Sequence, residues 1–257
     1  MKRVGATVKA EIRNLPESEG AVMYEFRSKV RYTEVGRDLK LRLDAMLDYF
    51  QDTCTFQSEE LGIGIDYLAP KGWAWVLSAW QIVVKRYPRL GEEITVGTAP
   101  YEFRGFMGFR NFRLSTPDGE ELACANSVWA LIDLENTHPM RPTEEMMEKY
   151  CLEPPIEMDY ASRKIGAIQG GSEKERIPVS VHQLDTNEHV NNVQYVRMAM
   201  DYFPETSNVV QMRAEYKKSA KLGDVIFPRV VQAENKTVVS LNDEAGAVYA
   251  LIEFEEG

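Results

Sequence analysis

The chain has 257 residues, enough for one large domain or two small ones with a substantial core. Hydrophobic residues make up 44% and charged residues 27%, the balance of a soluble globular protein. The net charge of −10 argues against general nucleic-acid binding, which calls for a basic surface, but leaves room for a local basic patch.

The first twenty residues lack the apolar segment of a secretory signal. No stretch approaches the ~18 apolar residues of a membrane span, so no membrane is expected as a partner. Cys54, Cys124 and Cys151 are odd in number and widely spaced, with no CxxC pair. They read as reduced, mostly buried thiols and point to a cytoplasmic protein.

Residues 22–35 alternate like a strand. From Leu41 to Leu61, apolar residues including Leu43, Met46, Leu47, Phe50 and Cys54 recur at helical spacing. Residues 72–87, 92–103, 107–117 and 121–134 read as strands, with Pro-Asp-Gly-Glu as the turn between the last two. A polar segment with Pro139, Pro142, Pro154 and Pro155 reads as a linker over 136–176. It separates a unit of residues 1–135 from a unit of residues 177–257.

The second unit repeats the order. A helix is expected from Val190 to Phe203, followed by strands over 208–219, 224–234, 236–242 and 246–256. Lys85 matches Lys217 and Leu90-Gly91 matches Leu222-Gly223 at one constant offset, which favours duplication over chance. One mostly apolar helix followed by antiparallel strands suggests a sheet wrapped around its helix. The expected fold is α+β: two tandem hotdog domains.

Ahead of the second helix, "LDTNEHVNNVQYVRM" sets Asp185, Asn187 and His189 within five residues, followed by Asn191 and Asn192. A carboxylate, an amide and an imidazole can move a proton and steady a developing charge. An N-capping cluster explains Asn191 or Asn192 well and His189 poorly. His138 and His182 have no partner at metal-ligand spacing, so no metal or other cofactor is implied.

Asp185, Asn187, His189-Val190-Asn191-Asn192 and Tyr195 together resemble the D-x-N-x-H-V-N-N-x-x-Y signature of acyl-acyl carrier protein (acyl-ACP) thioesterases. "KRYPRLGEE" and "SVWALIDLENTHPMRP" resemble two further segments of that family, and the likeness covers about residues 20–255. With no transit peptide ahead of the match, a bacterial-type enzyme is expected. The resemblance implies hydrolysis of the thioester of fatty acyl-acyl carrier protein, with catalytic roles for Asp185, Asn187 and His189. Backbone N–H groups near Val190 to Asn192 would add positive potential for an oxyanion. Tyr195 reads as core.

One position departs from the pattern. The plant enzymes carry a catalytic Glu followed by Cys on the strand after the helix, where this chain has Ser219 and Ala220. Ser219 could position water but not take its proton. Glu215 lies roughly 13 Å along the same strand, too far to substitute.

By the same resemblance the acyl chain would lie in the first half, in a tunnel shaped by the Leu41–Leu61 helix and the strand with Trp73, Trp75 and Trp80. The acidic carrier would dock on Arg86, Arg89, Lys217, Lys218 and Lys221, with Arg197 and Arg213 as additions. The alternatives are an acyl-CoA thioesterase and a non-catalytic acyl-thioester-binding protein. Two hotdogs in one chain already form a pair, so both a monomer and a homodimer are compatible.

Overall fold

The computed structural model describes residues 22–166, 170–203 and 208–257. The stretch read above for a secretory signal lies outside the described residues, as does the start of the 1–135 unit. The first half runs β1 (Tyr24–Lys29), α1 (Leu43–Glu60), α2 (Ile65–Leu68), β2 (Trp73–Val84), β3 (Glu93–Arg104), β4 (Met107–Ser115) and β5 (Glu121–Asp133). The crossing segment contributes β6 (His138–Pro139), α3 (Glu144–Lys149) and β7 (Ser172–Glu173). The second half runs β8 (Ile177–Pro178), α4 (Asn192–Met200), β9 (Val209–Tyr216), β10 (Val225–Ala233), β11 (Lys236–Asn242) and β12 (Val248–Glu256).

All pairings are antiparallel, in one sheet ordered β1-β3-β4-β5-β2-β9-β12-β11-β10-β7, with β6 on β5 and β8 on β10. The architecture is the expected α+β one, an antiparallel sheet with one helix packed on each half. Period-two alternation sends Trp80, Ile82 and Phe112 inward. There they meet Met46, Leu47 and Phe50 of α1 in a core that also takes Val193, Val196 and Ala199 of α4.

Two elements are shorter than the sequence pattern suggests. β1 stops at Lys29 because the Arg31 N–H turns to the Glu34 carboxylate at 2.8 Å. α4 starts at Asn192 because the Asn191 side chain caps it, accepting the Val193 N–H at 2.9 Å. After Met200, the N–H groups of Tyr202 and Phe203 donate three residues back, to Ala199 and Met200, which tightens the chain out of the α-helix.

The linker follows a fixed path across the face of the sheet opposite the helices. The Glu153 N–H donates to Pro100 O on β3 at 3.0 Å, and the Ile156 N–H to the Asn111 amide oxygen on β4 at 3.1 Å. Gln81 on β2 bonds Asp159 O and the Ala161 N–H, and Glu215 on β9 accepts the Ile165 N–H at 3.0 Å. Gln81, Asn111 and Glu215 are buried because the linker backbone satisfies them. α3, capped by Thr143, drops Met146 into a small second cluster with Ile63, Leu68, Leu131 and Tyr150.

The two helices meet through charge. Arg197 of α4 reaches Asp44 of α1 at 2.8 Å and Asp48 at 3.6 Å. Burial pushes the Asp48 carboxyl up to about 6 from 3.8, against the pull of Arg197 and with the repulsion of Asp44 and Asp52 added. Between those two values the folded protein holds a proton that the unfolded chain has released. Asp48 therefore costs stability progressively as pH rises from about 4 to about 6, and in full above that. Asp48→Asn is expected to raise the melting temperature at pH 8 and to give no gain at pH 4. An equal effect at both pH values would show that Asp48 titrates normally.

Candidate active site

The segment from Leu184 to Val190 is a tight loop closed by its own backbone. The Asp185 N–H donates to His189 O at 2.7 Å, and Leu184 pairs with Val190. One oxygen of the Asp185 carboxylate accepts the backbone N–H groups of Asn187 (2.8 Å) and His189 (3.2 Å). Its second oxygen makes no hydrogen bond among the described residues. Glu188 sits at the apex with φ 61°, the left-handed region that a non-glycine residue enters only under outside constraint.

The first half contains the same loop. The Gly36 N–H donates to Lys40 O at 2.9 Å, Val35 pairs with Leu41, and Leu39 takes φ 61°. Lys40 bridges Arg89 as His189 bridges Lys221. The backbone is duplicated and the chemistry is not: Gly36, Asp38 and Lys40 stand where the second copy has Asp185, Asn187 and His189.

Asp185, Thr186, Asn187 and Asn192 open onto a cavity of about 340 Å³ whose other walls belong to the first half. One wall is aromatic, with Trp73, Trp75, Phe103, Phe109 and Trp129 from β2–β5. The facing wall is α1, through Gln51, Cys54, Thr55 and Ser58. Gly108 lets the rings approach, since a Cβ there would lie 3.1 Å from Phe103 and 3.4 Å from Trp75.

Residues 21–150 match the model of the acyl-ACP thioesterase N-terminal domain, and residues 167–255 that of its C-terminal domain. The chain belongs to the acyl-ACP thioesterase family. Among its relatives is the chloroplastic acyl-[acyl-carrier-protein] hydrolase FATB1 of Cuphea viscosissima, 24% identical over 84% of this chain and 54% of that protein. This chain thus spans about half the length of the curated relatives it matches. The crystal structure of an acyl-ACP thioesterase from Bacteroides thetaiotaomicron superposes with a TM-score of 0.84 at 21% identity, covering 91% of this chain and 98% of that one. The 12:0-ACP thioesterase from Umbellularia californica gives 0.82 at 18%, covering 91% and 97%. At these identities the superpositions establish a shared fold.

The family signature residues divide by location. Asp185 and Asn187 line the cavity, whereas His189 shares the loop, half-buried, without lining it. Asp185 engages the backbone of His189, and the imidazole makes no hydrogen bond among the described residues. Of the expected oxyanion donors, Val190 N–H is taken by Ala220 O and Asn191 N–H by Gln183 O. The Asn192 N–H is left without a partner among the described residues, at the cavity and at the start of α4. Ser219 is exposed, lies outside the cavity lining and makes no hydrogen bond among the described residues.

Trp73 and Trp75 line the cavity. Trp80 does not: it is 3% exposed and packs 4.8 Å from Phe112 and 6.1 Å from Phe50 in the core. The five basic residues do not form one patch. They follow β2 and β9, which run antiparallel with Ala79 opposite Glu215 and Val83 opposite Gln211, so the two groups leave the sheet at opposite ends, roughly 20 Å apart. Arg86 is held by Glu92 and Glu120, both at 2.7 Å, and Lys218 by Asp243 at 2.6 Å. Arg197 and Arg213 are likewise paired, with Asp44 and Glu253. Lys221 stands opposite His189 in an antiparallel bridge, and Lys217 reaches Glu215 at 3.8 Å.

Sequence reading missed the polar face of α1, Arg110, Trp129, and Tyr150 from the linker. The first was visible as Gln51, Cys54, Thr55 and Ser58 at i, i+3, i+4 and i+7. Tyr195 is core, 1% exposed, and its hydroxyl accepts the buried Ala220 N–H at 2.8 Å. That bond steadies the segment carrying Ala220 O, on which Val190 hangs. Tyr195→Phe leaves the Ala220 N–H unpaired and is expected to cost about 1–2 kcal/mol in urea unfolding. A cost near zero would show that water or another acceptor replaces the hydroxyl.

Proposed function

We propose that this protein hydrolyses the thioester of fatty acyl-acyl carrier protein in the cytoplasm and releases the free acid. The observation that carries the reading is the shared cavity. The second half supplies an acid and an amide at one end, and the first half supplies a slot for the acyl chain. Water held by the free oxygen of Asp185 attacks the carbonyl carbon, and Asp185 takes its proton. The Asn187 amide and the Asn192 N–H receive the developing oxyanion, helped by the positive end of α4. The C–S bond then breaks, and the proton taken by Asp185 passes through solvent to His189, in the same loop, and from there to the departing thiolate.

The loop geometry separates this reading from a purely structural one. Asparagine at 185 keeps an oxygen for the N–H groups of Asn187 and His189 and removes the base. Asp185→Asn is therefore expected to lose ~10²-fold or more in kcat, close to Asp185→Ala. His189→Ala is expected to fall by a comparable factor, and Ser219→Ala to stay within about tenfold. Thiol release from acyl-ACP and acyl-CoA, measured side by side, reads all four variants. Near-wild-type turnover by Asp185→Asn would reduce Asp185 to a loop-closing residue.

Lys221 is the basic residue whose backbone pairs with the loop, and we assign the carrier's docking contact to it. Lys221→Glu is expected to raise KM for acyl-ACP severalfold at low salt. The difference should shrink as salt rises and be small for short acyl-pantetheine thioesters. Reversing Arg89, at the other end of the sheet, serves as the control. Equal effects on carrier-bound and pantetheine substrates would place docking elsewhere.

A further inference from the structure

Arg110 is a charge that thioester hydrolysis does not use. It points inward from β4, is 7% exposed, and lines the cavity. Its Nη1 donates to the Gln57 amide oxygen and to the Thr98 hydroxyl at 3.1 Å, and its guanidinium lies 5.5 Å from the centre of the Tyr150 ring. All three partners are neutral, and no carboxylate among the described residues forms an ion pair with it. Burial pushes the Cys54 thiol and the Tyr150 phenol up, so neither offsets the charge at neutral pH. The lining carboxylate other than Asp185 is Glu59, which is exposed and accepts the Ile65 N–H at 2.7 Å. A buried guanidinium without an anion is costly to keep.

The aromatic and aliphatic lining suits a hydrocarbon chain, and two further polar atoms interrupt it. The Gln51 amide oxygen and the Trp75 indole N–H, both on lining residues, are buried with no hydrogen-bond partner. An unmet acceptor on one wall and an unmet donor on the facing wall mark places where a ligand atom can bond.

We propose that the acyl group held here carries an oxygen function on its distal part, a hydroxyl or a carboxylate, which the Arg110 guanidinium receives. The proposal rests on reading the cavity as the acyl slot. Asp185 and Arg110 line the same cavity, one from the loop of the second half and the other from β4 of the first.

The test compares three acyl-ACP substrates of equal chain length: a plain saturated chain, one ending in a hydroxyl, and one ending in a carboxylate. Wild-type protein is expected to favour at least one oxygenated chain over the plain one by about tenfold in kcat/KM. Arg110→Met should abolish that preference, and Arg110→Lys, which keeps the charge, should retain part of it. Binding of the same chains as non-hydrolysable pantetheine amides, followed by calorimetry, reads the preference without turnover. Oxygenated amides that bind more tightly, with no hydrolysis of any substrate, would uphold the slot and refute the thioesterase reading. A wild-type preference for the plain chain overturns the proposal whether or not the variants fold. So does an oxygen preference that survives in Arg110→Met.

Discussion

The cavity depends on the pairing of β2 with β9. Backbone bonds from Ala79–Val83 to Gln211–Glu215 join two sheets that would each otherwise end in an open edge. The pairing fixes the register between the halves, and so fixes which residues of one half face which residues of the other. The Asp185 loop belongs to the second half, yet it opens onto α1 and β2–β5 of the first. A slip of one residue in that register would turn Trp80 and Ile82 out of the core and bring Gln81 in. The Arg197–Asp44 pair and the linker bonds to Gln81 and Glu215 cross the same junction and oppose such a slip.

Duplication then explains how a strained loop can host chemistry at little extra risk. Each half uses the same backbone bonds and the same left-handed apex, at Leu39 and at Glu188, to lead into its helix. The scaffold is held by main chain, so its side chains are free to differ. In the first copy they are Gly36, Asp38 and Lys40. In the second they are an acid, an amide and an imidazole. The asymmetry continues in the helices, with eighteen residues in α1 and nine in α4. The longer helix forms a cavity wall along its second half, and the shorter one presents its N-terminus to the same cavity.

Much of this was legible in the sequence, because local pattern and tertiary role coincide. Alternation gave β2–β5 and β9–β12 to within a few residues, and the constant offset between Lys85 and Lys217 anticipated the equivalent strand ends. The loop string stood out by composition. The failures share a cause: they concern where an element goes rather than what it is. Arg86 and Lys218 hold equivalent positions, and equivalence in an antiparallel pair means opposite ends of the sheet, not one patch. The linker reads as prolines and charge, and nothing local in it shows that Asn111, Gln81 and Glu215 would hold it down. Trp80 and Trp75 look alike on one strand, but an irregularity in the pairing between Leu77 and Ala79 intervenes, and they end in different environments.

The buried polar residues of the sheet sort into two sets by face. On the outer face, Gln81, Asn111 and Glu215 each accept a linker N–H, so their burial is explained by the chain itself. On the inner face, Arg110 has neutral partners, and Trp75, with Gln51 of α1 opposite, carries an atom with none. The same strands supply both sets, since Arg110 and Asn111 are adjacent and alternate across β4. A sequence that only needed an impermeable core would place apolar side chains at the inner positions, as it does at Phe112 and Leu114 one and two pleats further along. Arg110, Gln51 and Trp75 all line the cavity, which ties this set to what the cavity holds, as the outer set is tied to the linker it holds.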